Sequence, residues 1–251
     1  MPDMDERAAG PPCDAADALW CPSENHGPRR CGARPDIVLL HYTAMTDAVA
    51  ARDWLCTGES QVSAHYVLAE DGRLWQLVRE EHRAWHAGAG AWGGIDDVNS
   101  ASIGIEIAND GFSPFSEPQM ARLERLIAEI MARWSIPPER VLGHSDVALG
   151  RKIDPGRRFD WARLARRGLA IRPQPQAIEA QARIMADAQP ADGFLSDAAR
   201  FGYVASADQQ DVVLEALRHR FRPWAFGPMD ATDRAIMRIC AASWPVSAAK
   251  R

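Results

Sequence analysis

The chain has 251 residues, 47% of them hydrophobic, which is enough for one sizeable core or for a main domain with a smaller companion. Its net charge of −5, with charged residues scattered rather than run together, leaves no basic footprint for nucleic acid, and no stretch is apolar enough for a membrane span. The five cysteines, Cys13, Cys21, Cys31, Cys56 and Cys240, contain no Cys-x-x-Cys pair, which argues against a disulfide framework and a thiolate zinc site and for a reducing compartment.

Residues 1–35 are rich in Pro, Gly, Asp and Arg, lack apolar periodicity, and read as an irregular lead-in. They open with Met1-Pro2-Asp3-Met4-Asp5-Glu6, acidic where a signal peptide is positively charged, and Cys21 follows Leu19-Trp20 rather than the small residues of a lipoprotein signal. The expectation is a cytoplasmic protein, or a periplasmic one if the start codon is mis-assigned. Ile37-Val38-Leu39-Leu40 is a short apolar run that fits a strand covered on both faces and ends at His41. A short helix is expected over 47–56. Ser63–Ala69 and Arg73–Val78 then flank Asp71-Gly72 as a hairpin, and another strand runs from Ser102 to Ala108.

Ser116, with Gln119 three residues on, makes a capping box. Met120, Leu123, Leu126, Ile127, Ile130, Met131 and Trp134 follow at helical spacing, and Pro137-Pro138 ends the helix. Arg140–Gly143 reads as a last strand, which delivers His144 and a loop to Phe159 ahead of a short Arg-rich helix. The predicted fold class is α/β, a mixed central β-sheet flanked by helices, over 36–170. A Pro-punctuated linker at 171–177 then leads to a small all-α domain of three or four short helices at 178–251, with few contacts expected across the linker.

Two histidines, His41 and His144, follow strand-like runs, and Lys152 and Asp154 lie close behind the second. Two His and one Asp suit one zinc ion with its fourth position open, the arrangement that hydrolysis needs. On the strand at 102–108, Glu106 shares a side with the small residues Gly104 and Ala108, and it is the candidate general base. Lys152 would stabilise an oxyanion. Of the 29 basic residues only it and Lys250 are lysine. Each residue taken singly has a plainer reading: a satisfied histidine, a strand carboxylate paired with Arg, a surface charge. Trp85 and Trp92 either flank a groove or are simply buried.

Taken together, the segments Leu40-His41-Tyr42-Thr43, Ser63-Ala64-His65-Tyr66, Ala84-Trp85-His86-Ala87-Gly88, Ser102-Ile103-Gly104-Ile105-Glu106 and Gly143–Gly156 resemble the motifs of the type 2 N-acetylmuramoyl-L-alanine amidases, in that family's order. That family is related in fold to phage amidases and animal peptidoglycan recognition proteins. Five blocks over about 120 residues outweigh any single pattern. The resemblance implies one zinc per chain on His41, His144 and Asp154, a catalytic Glu106 and an oxyanion-binding Lys152. It also implies a muropeptide or peptidoglycan fragment as substrate, cut between N-acetylmuramic acid (or its 1,6-anhydro form) and L-alanine in cell-wall recycling or turnover. His65, His86 and Trp85 are expected to orient ligands or touch substrate, since a fourth protein ligand would close the site.

Phe201-Gly202-Tyr203 and Leu217–Pro223 resemble the helical peptidoglycan-binding-like domain of periplasmic lipoprotein amidases, although no lipoprotein signal is expected at Cys21 and Leu149-Gly150 stands where that family commonly has a proline. The competing readings are a non-catalytic recognition module, which loss of a zinc ligand would mark, a zinc peptidase acting within the stem peptide, and a structural wall-anchoring protein. The sequence sets no oligomeric state.

Overall fold

The computed structural model describes residues 13–45, 47–186 and 193–246, so the first part of the expected lead-in and the end of the expected helical domain lie outside the described residues. In chain order the elements are β1 (Leu19–Trp20), β2 (His26–Pro28), β3 (Ile37–Tyr42), α1 (Ala48–Cys56), β4 (Tyr66–Leu68), β5 (Leu74–Gln76), β6 (His82–Ala84), α2 (Val98–Ala101), β7 (Ser102–Ile107) and α3 (Glu117–Trp134). They continue with β8 (Val141–Gly143), α4 (His144–Val147), α5 (Trp161–Arg166), α6 (Pro175–Ala186), α7 (Phe194–Phe201), α8 (Gln210–Phe221) and α9 (Ala231–Ser243). Local chemistry sets the helix starts. The Asp47 carboxylate accepts from Ala50 N at 2.8 Å to begin α1, and Ser116 Oγ accepts from Gln119 N at the head of α3.

Six strands form the central sheet in the order β1-β5-β4-β7-β3-β8; β4 and β5 are antiparallel and the other neighbours parallel. The fold is therefore the expected mixed sheet with helices packed on it. Part of the lead-in differs from expectation. β1 runs beside β5 as an edge strand, and β2 pairs antiparallel with β6 in a second small sheet. Strands of two and three residues are too short to leave a periodic pattern, and their partners lie about 55 residues away in sequence.

The pleat of β3 divides the core. Val38 and Leu40 join Ile103, Ile105, Ile107 and Val141 beneath α3, whose Leu123, Leu126, Ile127 and Ile130 are fully buried. Ile37 and Leu39 point to the opposite face, where they meet Leu142 and Trp92 together with Phe201, Val213, Leu217, Ile236 and Met237 of the carboxy-terminal helices. A third cluster sits under α1, around Leu55, Val67, Trp75 and Leu77.

The few contacts expected across the 171–177 linker are thus not what is found. Helices α7, α8 and α9 supply half of one continuous core, because a proline-rich segment reports only on local backbone and not on what the chain packs against afterwards. Trp92, considered above as a groove residue, is 1% exposed, and its ring meets Phe201 and Tyr203 edge-on at 5.3 and 5.2 Å. A Cβ at Gly202 would lie 2.4 Å from the Trp92 ring, so only glycine permits this approach. Polar contacts join the same interface. Buried Asp146, on α4, accepts from Tyr203 Oη at 2.7 Å and from Arg220 Nη1 at 3.2 Å, and Arg220 also donates to Val141 O at 2.9 Å.

Candidate active site and metal centre

Parallel pairing of β3 with β7 puts His41 directly opposite Glu106, and both side chains emerge on the face shared by Leu39 and Gly104. β8 runs on the other side of β3 and ends at Gly143, so His144 begins α4 one strand away from His41. The loop that follows returns Asp154 to this point, where Ser145 N donates to Asp154 O at 3.0 Å. The result is one cluster: His41 Nδ1, His144 Nδ1 and Asp154 Oδ2 stand 3.0 Å from one another, and all three residues are buried.

The far ring nitrogens determine what the near ones offer. His144 Nε2 lies 2.9 Å from Ala87 O, which can only accept, so Nε2 carries a proton and Nδ1 turns to the centre. His41 Nε2 lies 3.0 Å from His86 Nδ1, and His86 Nε2 lies 3.4 Å from Ser102 Oγ, whose own proton goes to Val98 O at 2.6 Å. The chain is consistent in one direction only. Ser102 accepts from His86 Nε2, His86 Nδ1 accepts from His41 Nε2, and the His41 Nδ1 lone pair is left facing the cluster.

Burial, reinforced by the neighbouring His144, pushes the His41 pKa down to about 4, so its ring is neutral near pH 7. Burial would push the Asp154 carboxyl up, and donation from protonated His144 and His41 Nδ1 atoms would hold it well below the usual carboxylate range, but the outward hydrogen bonds of both rings place those protons on Nε2. An anionic oxygen and imidazole lone pairs converging within hydrogen-bond distance repel one another unless a cation sits between them. Two imidazole nitrogens and one carboxylate oxygen suit zinc with a fourth position left open.

Glu106 stands beside this centre with its Oε2 buried and without a hydrogen-bond partner among the described residues. Burial, and then the charge of Asp154, push its pKa well up, opposed by Lys152. Lys152 itself is exposed at the cleft and carries no ion pair or side-chain hydrogen bond among the described residues. The cleft has a volume of about 590 Å³, a size suited to a small ligand. Besides the cluster, Glu106 and Lys152, its walls include half-buried Trp85 and, from α1, Trp54 and Leu55.

The remaining expected residues separate. His86 lines the cleft and also orients His41; a Cβ at Gly104 would meet its ring at 2.5 Å, which explains the small residue next to Glu106 on β7. His65 does not line the cleft. It is fully buried, accepts from Gly104 N at 3.0 Å through Nδ1 and donates to His82 O at 3.1 Å, so its place is in the scaffold behind β7. Sequence reasoning did not single out Asn99, whose Oδ1 receives both His86 N and Ala87 N at 2.9 and 2.8 Å, or Arg151, which donates to Ala87 O at 2.7 Å. Both hold the 86–87 segment that orients the two histidines, and neither carries a motif signal that could have revealed it.

Comparison with known proteins agrees with this geometry. The family model described as N-acetylmuramoyl-L-alanine amidase matches residues 32–157. N-acetylmuramoyl-L-alanine amidase AmiD of Escherichia coli is 36% identical over 226 residues, covering 81% of each chain. The solved complex of E. coli AmiD with anhydro-N-acetylmuramic acid-L-Ala-D-gamma-Glu-L-Lys superposes with a TM-score of 0.78 at 35% identity, over 86% of this chain and 93% of that one. A complex of AMPDH3 from Pseudomonas aeruginosa with anhydromuramic pentapeptide gives a TM-score of 0.79 at 30% identity, over 86% and 94% of the two chains.

Proposed function

The chain belongs to the N-acetylmuramoyl-L-alanine amidase family of hydrolases, and from that premise we propose that it is a zinc enzyme that cuts the amide between 1,6-anhydro-N-acetylmuramic acid and the L-alanine of soluble stem-peptide fragments, in peptidoglycan recycling. One observation carries the reading: three ligand atoms from β3, α4 and the 150s loop converge, with both imidazole tautomers fixed, beside a buried carboxylate oxygen that has no partner among the described residues. The anhydro-muramyl peptides in the two similar complexes supply the substrate class.

In this mechanism His41, His144 and Asp154 hold the metal, while His86 and the Ala87 carbonyl fix the two rings. When bound, zinc supplies Lewis acidity, polarising the scissile carbonyl and making water acidic enough to react near neutral pH. Glu106 accepts the proton of the attacking water and returns it to the departing L-alanine nitrogen. Its burial serves that role, since a carboxylate with few competing hydrogen bonds holds a proton more readily. Lys152, which carries no ion pair among the described residues, would bring its ammonium to the oxyanion that develops at the carbonyl. Trp85 and the α1 residues Trp54 and Leu55 wall the cleft and position the substrate.

Metal analysis tests this assignment. Purified protein should hold one zinc per chain, and His41→Ala and Asp154→Ala should lose both zinc and hydrolysis. Full turnover after exhaustive chelation would overturn it.

A further inference from the structure

Cys21 and Cys56 have no part in the chemistry above, yet the fold brings them together. Cys21 directly follows β1 and Cys56 is the last residue of α1; they are 35 residues apart in sequence, with their Sγ atoms 3.7 Å apart. The backbone on both sides is already tied. Cys21 N donates to Gln76 O at 3.0 Å, Ser23 Oγ donates to Leu55 O at 2.6 Å, and Asn25 Nδ2 donates to Thr57 O at 2.7 Å. The Cys56 thiol points back along the same strap, 3.3 Å from Cys21 O. A disulfide needs sulfurs about 2.05 Å apart, so a side-chain adjustment on the order of 1.5 Å would complete one. Both residues are half-buried, so a small reagent can reach them. Among the described residues no other two cysteines are in sulfur contact.

We propose that Cys21 and Cys56 form a reversible disulfide by exchange with a low-molecular-weight disulfide such as oxidised glutathione, and that the bond fastens α1 to the edge of the central sheet. One cysteine thiolate attacks the external disulfide, breaking its S–S bond, and a mixed disulfide forms as one small thiol leaves. The second cysteine thiolate attacks the protein sulfur of that intermediate and displaces the second small thiol. The two protein thiols lose two electrons, and the external disulfide takes them up together with two protons as two thiols. α1 contributes Ala51, Trp54 and Leu55 to the cleft, so the bond fixes one wall of the active site. Burial and the adjacent Cys21 push the Cys56 thiol up to about 12, so exchange should quicken as pH rises.

The test uses the full chain, equilibrated with oxidised or reduced glutathione, alkylated, digested and mapped by mass spectrometry. The expected result is a reductant-sensitive Cys21–Cys56 cross-linked peptide. It should come with a melting temperature raised by roughly 8–15 °C, the scale for closing a loop of this length in a chain of this size. Cys21→Ser and Cys56→Ser should each abolish the cross-link and the shift, while melting close to the reduced parent. The proposal is overturned if both thiols remain alkylatable, if each ends as a separate glutathione adduct, or if either pairs with Cys13 or Cys31. A cross-link without a rise in melting temperature would overturn the fastening of α1.

Discussion

Replacing Arg220 by alanine should destabilise the whole chain, including the sheet that carries the metal ligands, although Arg220 lies far along the sequence in α8. Arg220 is 2% exposed, and its guanidinium donates to Asp146 and to Val141 O and packs 5.0 Å over the Trp161 ring. Asp146 is 1% exposed and keeps Gly143 N and Tyr203 Oη when Arg220 is removed, but its charge is left without a cation. Removing one partner of a buried pair costs about 3–5 kcal/mol. At roughly 2–4 °C per kcal/mol for a chain of this size, the melting midpoint should fall by roughly 6–20 °C. Thermal and urea unfolding of Arg220→Ala would read this, and a double-mutant cycle with Asp146→Asn should show coupling above about 1 kcal/mol. A loss below about 1 kcal/mol, or purely additive effects, would refute the claim that α8 and the catalytic sheet share one core.

A chain ending at Arg172 should aggregate, since it strips cover from Leu142, Val147 and Trp92; a soluble, monomeric product by light scattering would contradict the shared core. Glu106→Gln keeps the side chain's shape but not its basicity, and should lose roughly two to four orders of magnitude in kcat with zinc content unchanged. Loss of zinc from that variant would show that Glu106 helps to hold the metal. His86→Ala should weaken zinc affinity by roughly 10–100-fold, read by competition with a chromophoric chelator, because His41 Nε2 loses its acceptor; unaltered affinity would remove His86 from the orienting chain.

Much of this architecture is legible in the sequence because it is locally encoded. Asp71-Gly72 marks the β4–β5 turn, Ser116 and Gln119 mark the head of α3, and apolar runs ending at His41 and Gly143 place two histidines at strand ends. What the sequence hides is non-local. Nothing in Trp92 or Gly202 alone tells that one ring lies on the other's backbone, and nothing in Cys21 or Cys56 tells that β1 joins the sheet beside β5, next to the end of α1. His65 and His86 look alike as motif histidines. Only the register of β7 against its neighbours assigns one to the scaffold and the other to His41.

Mass spectrometry of the products from a defined 1,6-anhydro-muropeptide shows which bond is cut. With zinc-loaded protein the products should be free anhydro-N-acetylmuramic acid and an intact stem peptide beginning with L-alanine, neither of which should form after chelation. Release of shorter peptides with the muramyl–alanine bond intact would identify a peptidase acting within the stem peptide instead.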